Sequence, residues 1–159
     1  LGKRKLAEPI YRELAAERSF YGFLAADRVG ASYNLNQDPA PVKEKLLLRV
    51  AQLPGIQRAR ELAALERWTD ARREWRHLLP HLDAGETMAA AKLAQSWNWH
   101  DQAIFTLART GYWDDLELRF PLEHAHTVET RADERNLDIS WVFGVIRQES
   151  AFNPAVRSH

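Results

Sequence analysis

Cysteine is absent from the 159 residues, so the chain has no disulfide framework, no zinc-finger ligand set and no thiol nucleophile. The absence suits an exported protein as well as a cytosolic one and assigns no compartment. Net charge is missing too. Twenty-two Lys plus Arg against 22 Asp plus Glu give a formal charge of zero, which removes the broad electrostatic footprint of a nucleic-acid or anionic-membrane binder. No apolar run approaches the roughly 20 residues of a membrane span. The N-terminus, Leu1-Gly2-Lys3, has neither an initiator Met nor the apolar stretch of a signal peptide, so the chain is expected to start inside a longer protein. Glycine and proline number only seven each. What remains, 45% hydrophobic and 28% charged residues, is the composition of a folded domain with a sizeable core and not of a disordered tail.

Between the few breakers, apolar residues recur at helical spacing, which predicts an all-α fold without a sheet. Ala71, Trp75, Leu78 and Leu79 fall at i, i+4, i+7 and i+8, and Ala103, Ile104, Leu107 and Ala108 form the stripe of a later helix. Asp83 followed by Glu86 is a capping box opening an Ala-rich helix that runs to about Trp97. The predicted helices are short, about 10 to 15 residues, with brief connections, as in helical hairpins. One connection is longer. Ala31 to Pro41 holds turn formers and two prolines and should bridge an N-terminal helical piece and the rest. A weak echo follows: Trp68-Thr69-Asp70, Trp99-His100-Asp101 and Trp113-Asp114-Asp115 each stand where a helix should begin. The expected roles are an Asp cap and a Trp wedge between stacked hairpins.

Most polar clusters read as surface. His77 and His81 are four apart, but Pro80 lies between them and no carboxylate completes a metalloprotease pattern. His124 and His126 point to different faces of any helix. Arg58, Arg60, Arg67, Arg72, Arg73 and Arg76 interleave with Glu61, Glu66, Asp70 and Glu74 and are expected to form a solvated, salt-bridged face. No glycine-rich phosphate loop and no G-x-S-x-G elbow is present, and no cofactor or metal is expected.

The C-terminal end carries the remaining chemistry. Asp138 is a predicted N-cap for a helix in which Ile139, Val142, Phe143 and Ile146 form an apolar stripe to be buried, ending near Ser150 ahead of Asn153-Pro154. Glu149 projects about 20° from Val142 on this helix, at the edge of the apolar arc. Desolvation and the negative end of the helix dipole would both raise its pKa, as a general acid for glycosidic cleavage requires. The alternative is a Glu149 that reaches solvent or pairs with Arg147 or Arg157.

The run Val145-Ile146-Arg147-Gln148-Glu149-Ser150-Ala151-Phe152-Asn153-Pro154, continuing through Ala155-Val156-Arg157-Ser158, resembles the first catalytic motif of the soluble lytic murein transglycosylases. Upstream, Arg60-Glu61-Leu62 to Trp75, Trp97 to Trp113, and Leu116 to Pro121 resemble the linker region before the catalytic domain of the large soluble enzyme of that family. Phe20 to Arg28 resembles the last hairpins of its ring-forming superhelix. The resemblance implies a periplasmic enzyme with a lysozyme-like catalytic domain. Such an enzyme acts on peptidoglycan glycan strands, with other cell-wall enzymes as candidate partners. It cuts the β-1,4 bond between N-acetylmuramic acid and N-acetylglucosamine without water and leaves a 1,6-anhydro sugar. By position, Glu149 takes the role of acid and then base. Ser158 matches a serine beside the catalytic Glu and the substrate, and Ser150 follows the Glu in the motif. A single-carboxylate mechanism is compatible with the spacing, because Asp138 lies about 16 Å from Glu149 along the helix, beyond the roughly 5 to 9.5 Å of paired glycosidase carboxylates.

The resemblance implies three parts: residues 1–40 as the end of the superhelical domain, 41–121 as a helical linker domain, and 122–159 as the start of the lysozyme-like domain. The second motif of the family, a G-L-M-Q type segment, and a later tyrosine do not occur by His159, so the chain alone is expected to be inactive. The competing expectation is a non-catalytic α-hairpin repeat module that binds other proteins.

Overall fold

A computed structural model describes residues 4–157, with side chains from Leu6 onward. The described residues form ten α-helices and one 3-10 turn, without a strand, so the all-α expectation holds. No helix among them is long and apolar enough to cross a membrane. The chain divides into two compact units, Leu1–Asp38 and Pro39–His159, and the division falls inside the predicted long connection.

The first unit pairs α1 (Arg4–Leu14) with α2 (Phe20–Val29). Ser19 caps α2 by accepting from the Gly22 N–H at 3.0 Å, and Gly30 closes it in the left-handed region at φ 66°. Gly22 is required: a Cβ there would collide with the Glu17 carbonyl oxygen of the connecting turn. Ala15, Ala25 and Ala26 form a small core with Tyr11, Leu14 and Val29. The segment after α2 is tied back by Tyr33 Oη donating to Asp27 at 2.7 Å and by Asn34 Nδ2 donating to the Ala16 carbonyl at 2.7 Å.

The second unit contains α3 (Glu44–Ala51), α4 (Pro54–Ala64), α5 (Trp68–Leu78), α6 (Ala84–Ser96), α7 (His100–Ala108), α8 (Leu116–Arg119), α9 (Ala125–Asp133) and α10 (Ile139–Ser150). Helix α4 folds back on α5, α6 packs on both α3 and α7, and α9 packs on α10. The predicted stripes are the buried faces. Ala71, Trp75, Leu79, Ala103, Ile104 and Leu107 are all in the interior, where Ala89, Ala90, Ala91 and Ala94 of α6 let neighbouring backbones approach closely. Trp75 is fully buried, and its indole N–H donates to Thr106 Oγ1 at 2.8 Å, which satisfies the one polar atom of the ring.

The capping box forms as read. Asp83 accepts from the Glu86 N–H at 2.7 Å, and Glu86 accepts from the Asp83 N–H at 3.1 Å. Removing it with Asp83→Ala is expected to cost about 1 kcal/mol, measured as a shift in the denaturant midpoint at unchanged slope.

The Trp-x-Asp echo marks three true helix starts, but only one of its aspartates caps. Asp115 accepts from the Leu118 N–H at 3.0 Å. Asp70 instead pairs with Arg67 at 2.7 Å and with Arg73 at 3.3 Å, and Asp101 binds Arg72 at 2.9 Å. The difference is one of position: Asp115 is the N-cap residue of α8, whereas α5 is flanked by Arg67 and α7 by Trp99, so Asp70 and Asp101 already lie inside their first turns. Of the expected solvated arginine face, Arg58 pairs with Glu74 at 2.8 Å, but Arg72 turns inward to the buried Asp101 and lies over the Trp99 ring.

Candidate functional site

Helix α10 starts as its sequence dictates, with Asp138 accepting from the Trp141 N–H at 3.0 Å, and it stops at Ser150. Its apolar stripe is not buried as expected. Val142, Phe143 and Ile146 are half-covered, Ile139 is 36% exposed and Trp141 is 62% exposed, and no residue of α10 is in the interior. Helix α9 is its principal packing partner and covers only part of its circumference.

Glu149 therefore stands exposed. It forms no hydrogen bond or ion pair among the described residues, so the solvent-reaching alternative is the one the structure shows, while the pairings with Arg147 and Arg157 are not realised and the expected apolar surroundings are absent. The helical projection identified a face, while burial depends on what packs there.

Residues flanking Glu149 are firmly held. Two positions before it, Arg147 points to the end of α8, where Nε donates to the Arg119 carbonyl at 2.9 Å and the guanidinium lies over the Phe120 ring. Burial lowers the Arg147 pKa from its ordinary value, without bringing it near loss of the proton. One position after it, the Ser150 hydroxyl donates to the Ile146 carbonyl at 3.0 Å and accepts from the Phe152 N–H at 3.1 Å. Ser150 thus organises the helix end and is committed to the backbone. Ser158 lies outside the described residues.

Phe152 packs edge-on to His100 and beside Phe143, each at 6.2 Å between ring centroids. His100, only 8% exposed, bonds through Nε2 to Glu123 at 2.9 Å. A carboxylate only accepts, so Nε2 carries the proton. The other ring nitrogen, Nδ1, is buried without a partner. Short spacing in the sequence does not single out His100, whose partner is 23 residues away. The available signal was an imidazole inside a Trp-x-Asp helix start. Beside this trio lies a pocket of about 240 Å³, lined in part by Asn98, His100, Val128, Ile146, Phe152 and Pro154. His77, His81, His124 and His126 are exposed, and His124 sits ahead of α9 as its N-terminal flank at φ 57°.

Comparison with known proteins matches residues 49–116 to the family model of the soluble lytic murein transglycosylase L domain. The chain is 32% identical over 157 residues to the soluble lytic murein transglycosylase of Escherichia coli K12, covering 99% of this chain and 24% of that protein. Among solved structures it is similar to an inactive glutamate-to-glutamine mutant of the lytic transglycosylase Slt from Pseudomonas aeruginosa. That similarity has a TM-score of 0.88 at 41% identity, over 97% of this chain and 25% of the other. It is also similar to the 70 kDa soluble lytic transglycosylase of Escherichia coli, with a TM-score of 0.83 at 32% identity, over 99% of this chain and 25% of the other. The chain spans about a quarter of the length of the curated relatives it matches.

Proposed function

This chain belongs to the soluble lytic murein transglycosylase family, and from that premise we propose that the protein carrying it cleaves the β-1,4 bond between N-acetylmuramic acid and N-acetylglucosamine in peptidoglycan. Glu149 is the acid and then the base. It gives its proton to the leaving glycosidic oxygen as the bond to C1 breaks. The resulting carboxylate then takes the proton of the C6 hydroxyl as that oxygen bonds to C1, closing the 1,6-anhydro ring without water. The observation that carries this reading is the match of the Val145–Pro154 run to the first catalytic motif of the family, on a capped helix whose final turn is held on both sides of Glu149. A relative described as an inactive glutamate-to-glutamine mutant adds support.

In this reading, residues 1–40 end a superhelical domain, 41–121 form a linker domain, and 122–159 begin the lysozyme-like catalytic domain. Ser150 supports the acid by fixing the turn, and Ser158 is assigned to the substrate side by its motif position. The setting is the periplasm, where the glycan strands are, and other cell-wall enzymes are candidate partners.

Digestion of murein sacculi followed by mass analysis is the test. Products ending in 1,6-anhydro sugars support the assignment, reducing ends indicate a hydrolase, and no product from the protein carrying the chain favours a binding module of stacked hairpins. The 159-residue chain by itself is expected to release no anhydro product, because catalysis needs a sugar held against the acid and Glu149 has open solvent beside it. Glu149-dependent release by this chain would show that the site is already complete.

A further inference from the structure

The turn that closes α10 departs from an ordinary helix end. A single residue in the left-handed region, usually glycine, suffices to stop a helix. Here two consecutive residues with side chains, Ala151 at φ 47° and Phe152 at φ 64°, occupy that region. Such backbone persists only where its surroundings hold it. The Ala151 N–H donates to the Arg147 carbonyl at 3.1 Å, and the Phe152 N–H donates to Ser150 Oγ. The Phe152 ring is seated on His100, which Glu123 fixes in turn. The result is a relay of Glu123, His100 and Phe152 that runs from the start of α7 and the segment before α9 to a point three residues beyond Glu149.

The adjacent pocket is a poor candidate for a ligand site. His100 Nε2 and Glu123 are committed to each other, Ser150 to the backbone, and Asn153 Oδ1 to the Ala155 N–H at 3.0 Å, which leaves buried His100 Nδ1 unpartnered. The pocket is better understood as free space beside the Phe152 ring.

We propose that Phe152 is a positioning residue for Glu149: its ring, seated on His100, holds the last turn of α10 so that the Glu149 carboxylate meets the glycosidic oxygen in one orientation. The inference rests on the assignment of Glu149 as the acid. Misplacing a catalytic group by about 1 Å can cost about a hundredfold in rate, so a modest loosening of this turn has a measurable effect.

The test uses the protein carrying this chain, with soluble glycan strands as substrate, and compares Phe152→Leu, Phe152→Tyr, His100→Phe and Glu149→Gln. Phe152→Leu keeps apolar bulk but loses the ring edge on His100, and it is expected to lower kcat at least tenfold with KM within twofold. Phe152→Tyr keeps the ring, with pocket space for the hydroxyl, and is expected to stay within twofold of the parent. His100→Phe keeps an aromatic seat but releases Glu123 and should fall between the two. An unchanged kcat for Phe152→Leu, a rise in KM alone, or an equal loss in Phe152→Tyr would overturn the proposal. Full activity of Glu149→Gln would instead overturn the functional assignment on which it rests. Should Phe152→Leu melt early, the comparison of Phe152→Tyr with His100→Phe at matched helicity decides: equal activities refute the relay.

Discussion

Glu149→Gln is expected to reduce release of anhydro-muropeptides by about 10²–10⁴-fold, the usual contribution of a positioned acid or base. Glutamine keeps the shape of the side chain and its capacity to accept a hydrogen bond, but it has no proton to deliver at the moment the glycosidic bond breaks. Folding is expected to survive, because Glu149 is exposed and makes no contact that glutamine would break. Surface changes of this kind stay within about 0.5 kcal/mol. The measurement pairs a sacculus digestion with a thermal melt of the same preparation. Near-normal product release from a folded Glu149→Gln protein would refute the assignment.

Asp115→Ala should produce a large loss of stability. The carboxylate is buried, with its side chain only 1% exposed. It accepts from the Lys92 ammonium at 2.6 Å, the Ala40 N–H at 2.9 Å and the Leu118 N–H at 3.0 Å. Removing it leaves a half-buried cation and two backbone donors without their acceptor, an effect of about 3 kcal/mol. Burial on its own would push the Asp115 pKa up, but the bonds from Ala40, Lys92 and Leu118 outweigh it and leave the pKa below the ordinary value. A depressed carboxylate pKa stabilises the fold above its unfolded value of about 3.9, and that stabilisation is lost as pH falls through the folded value. Denaturant titrations from pH 7 down to pH 2 should therefore show Asp115→Asn losing its deficit relative to the parent at the acid end. A deficit that stays constant with pH would mean that Asp115 acts by packing alone.

The parts of this fold that could be read from sequence are those whose determinants lie within one or two helical turns. Asp83 finds Glu86, Asp138 finds the Trp141 amide, and the stripe from Ala71 to Leu79 reports its own buried face. What escaped involves a partner set by tertiary packing. Asp115 was identified as a cap, yet its acceptors' other duties, to Ala40 across 75 positions and to Lys92, have no local signature. Asp70 and Asp101 look equivalent to it in the sequence, but they lie inside the first turns of α5 and α7 and pair there with Arg67 and Arg72. The candidate acid shows the same division. The motif, the helix end and the facing direction of Glu149 were legible, while its exposure depends on how far α9 covers α10, and its support from Phe152 depends on His100 and Glu123.

The aromatic core gives the chain an optical signature. Of its six tryptophans, Trp68, Trp75, Trp97 and Trp99 form one cluster with ring centroids 5.4–5.9 Å apart, whereas Trp141 projects from α10 into solvent. The buried indoles of Trp75 and Trp99 are expected to emit to the blue and to couple in the near-ultraviolet circular dichroism of the hairpin stack. Trp141, like the half-exposed Trp113, is expected to emit to the red and to be open to iodide quenching. In a Trp113→Phe background, melting of the stack and occupation of the α10 surface should therefore report on separate channels of one spectrum. Because the chain has no cysteine, a single introduced thiol near Glu149 in that background would carry a dye that takes up energy from Trp141 on the same helix, turning glycan docking into a distance measurement.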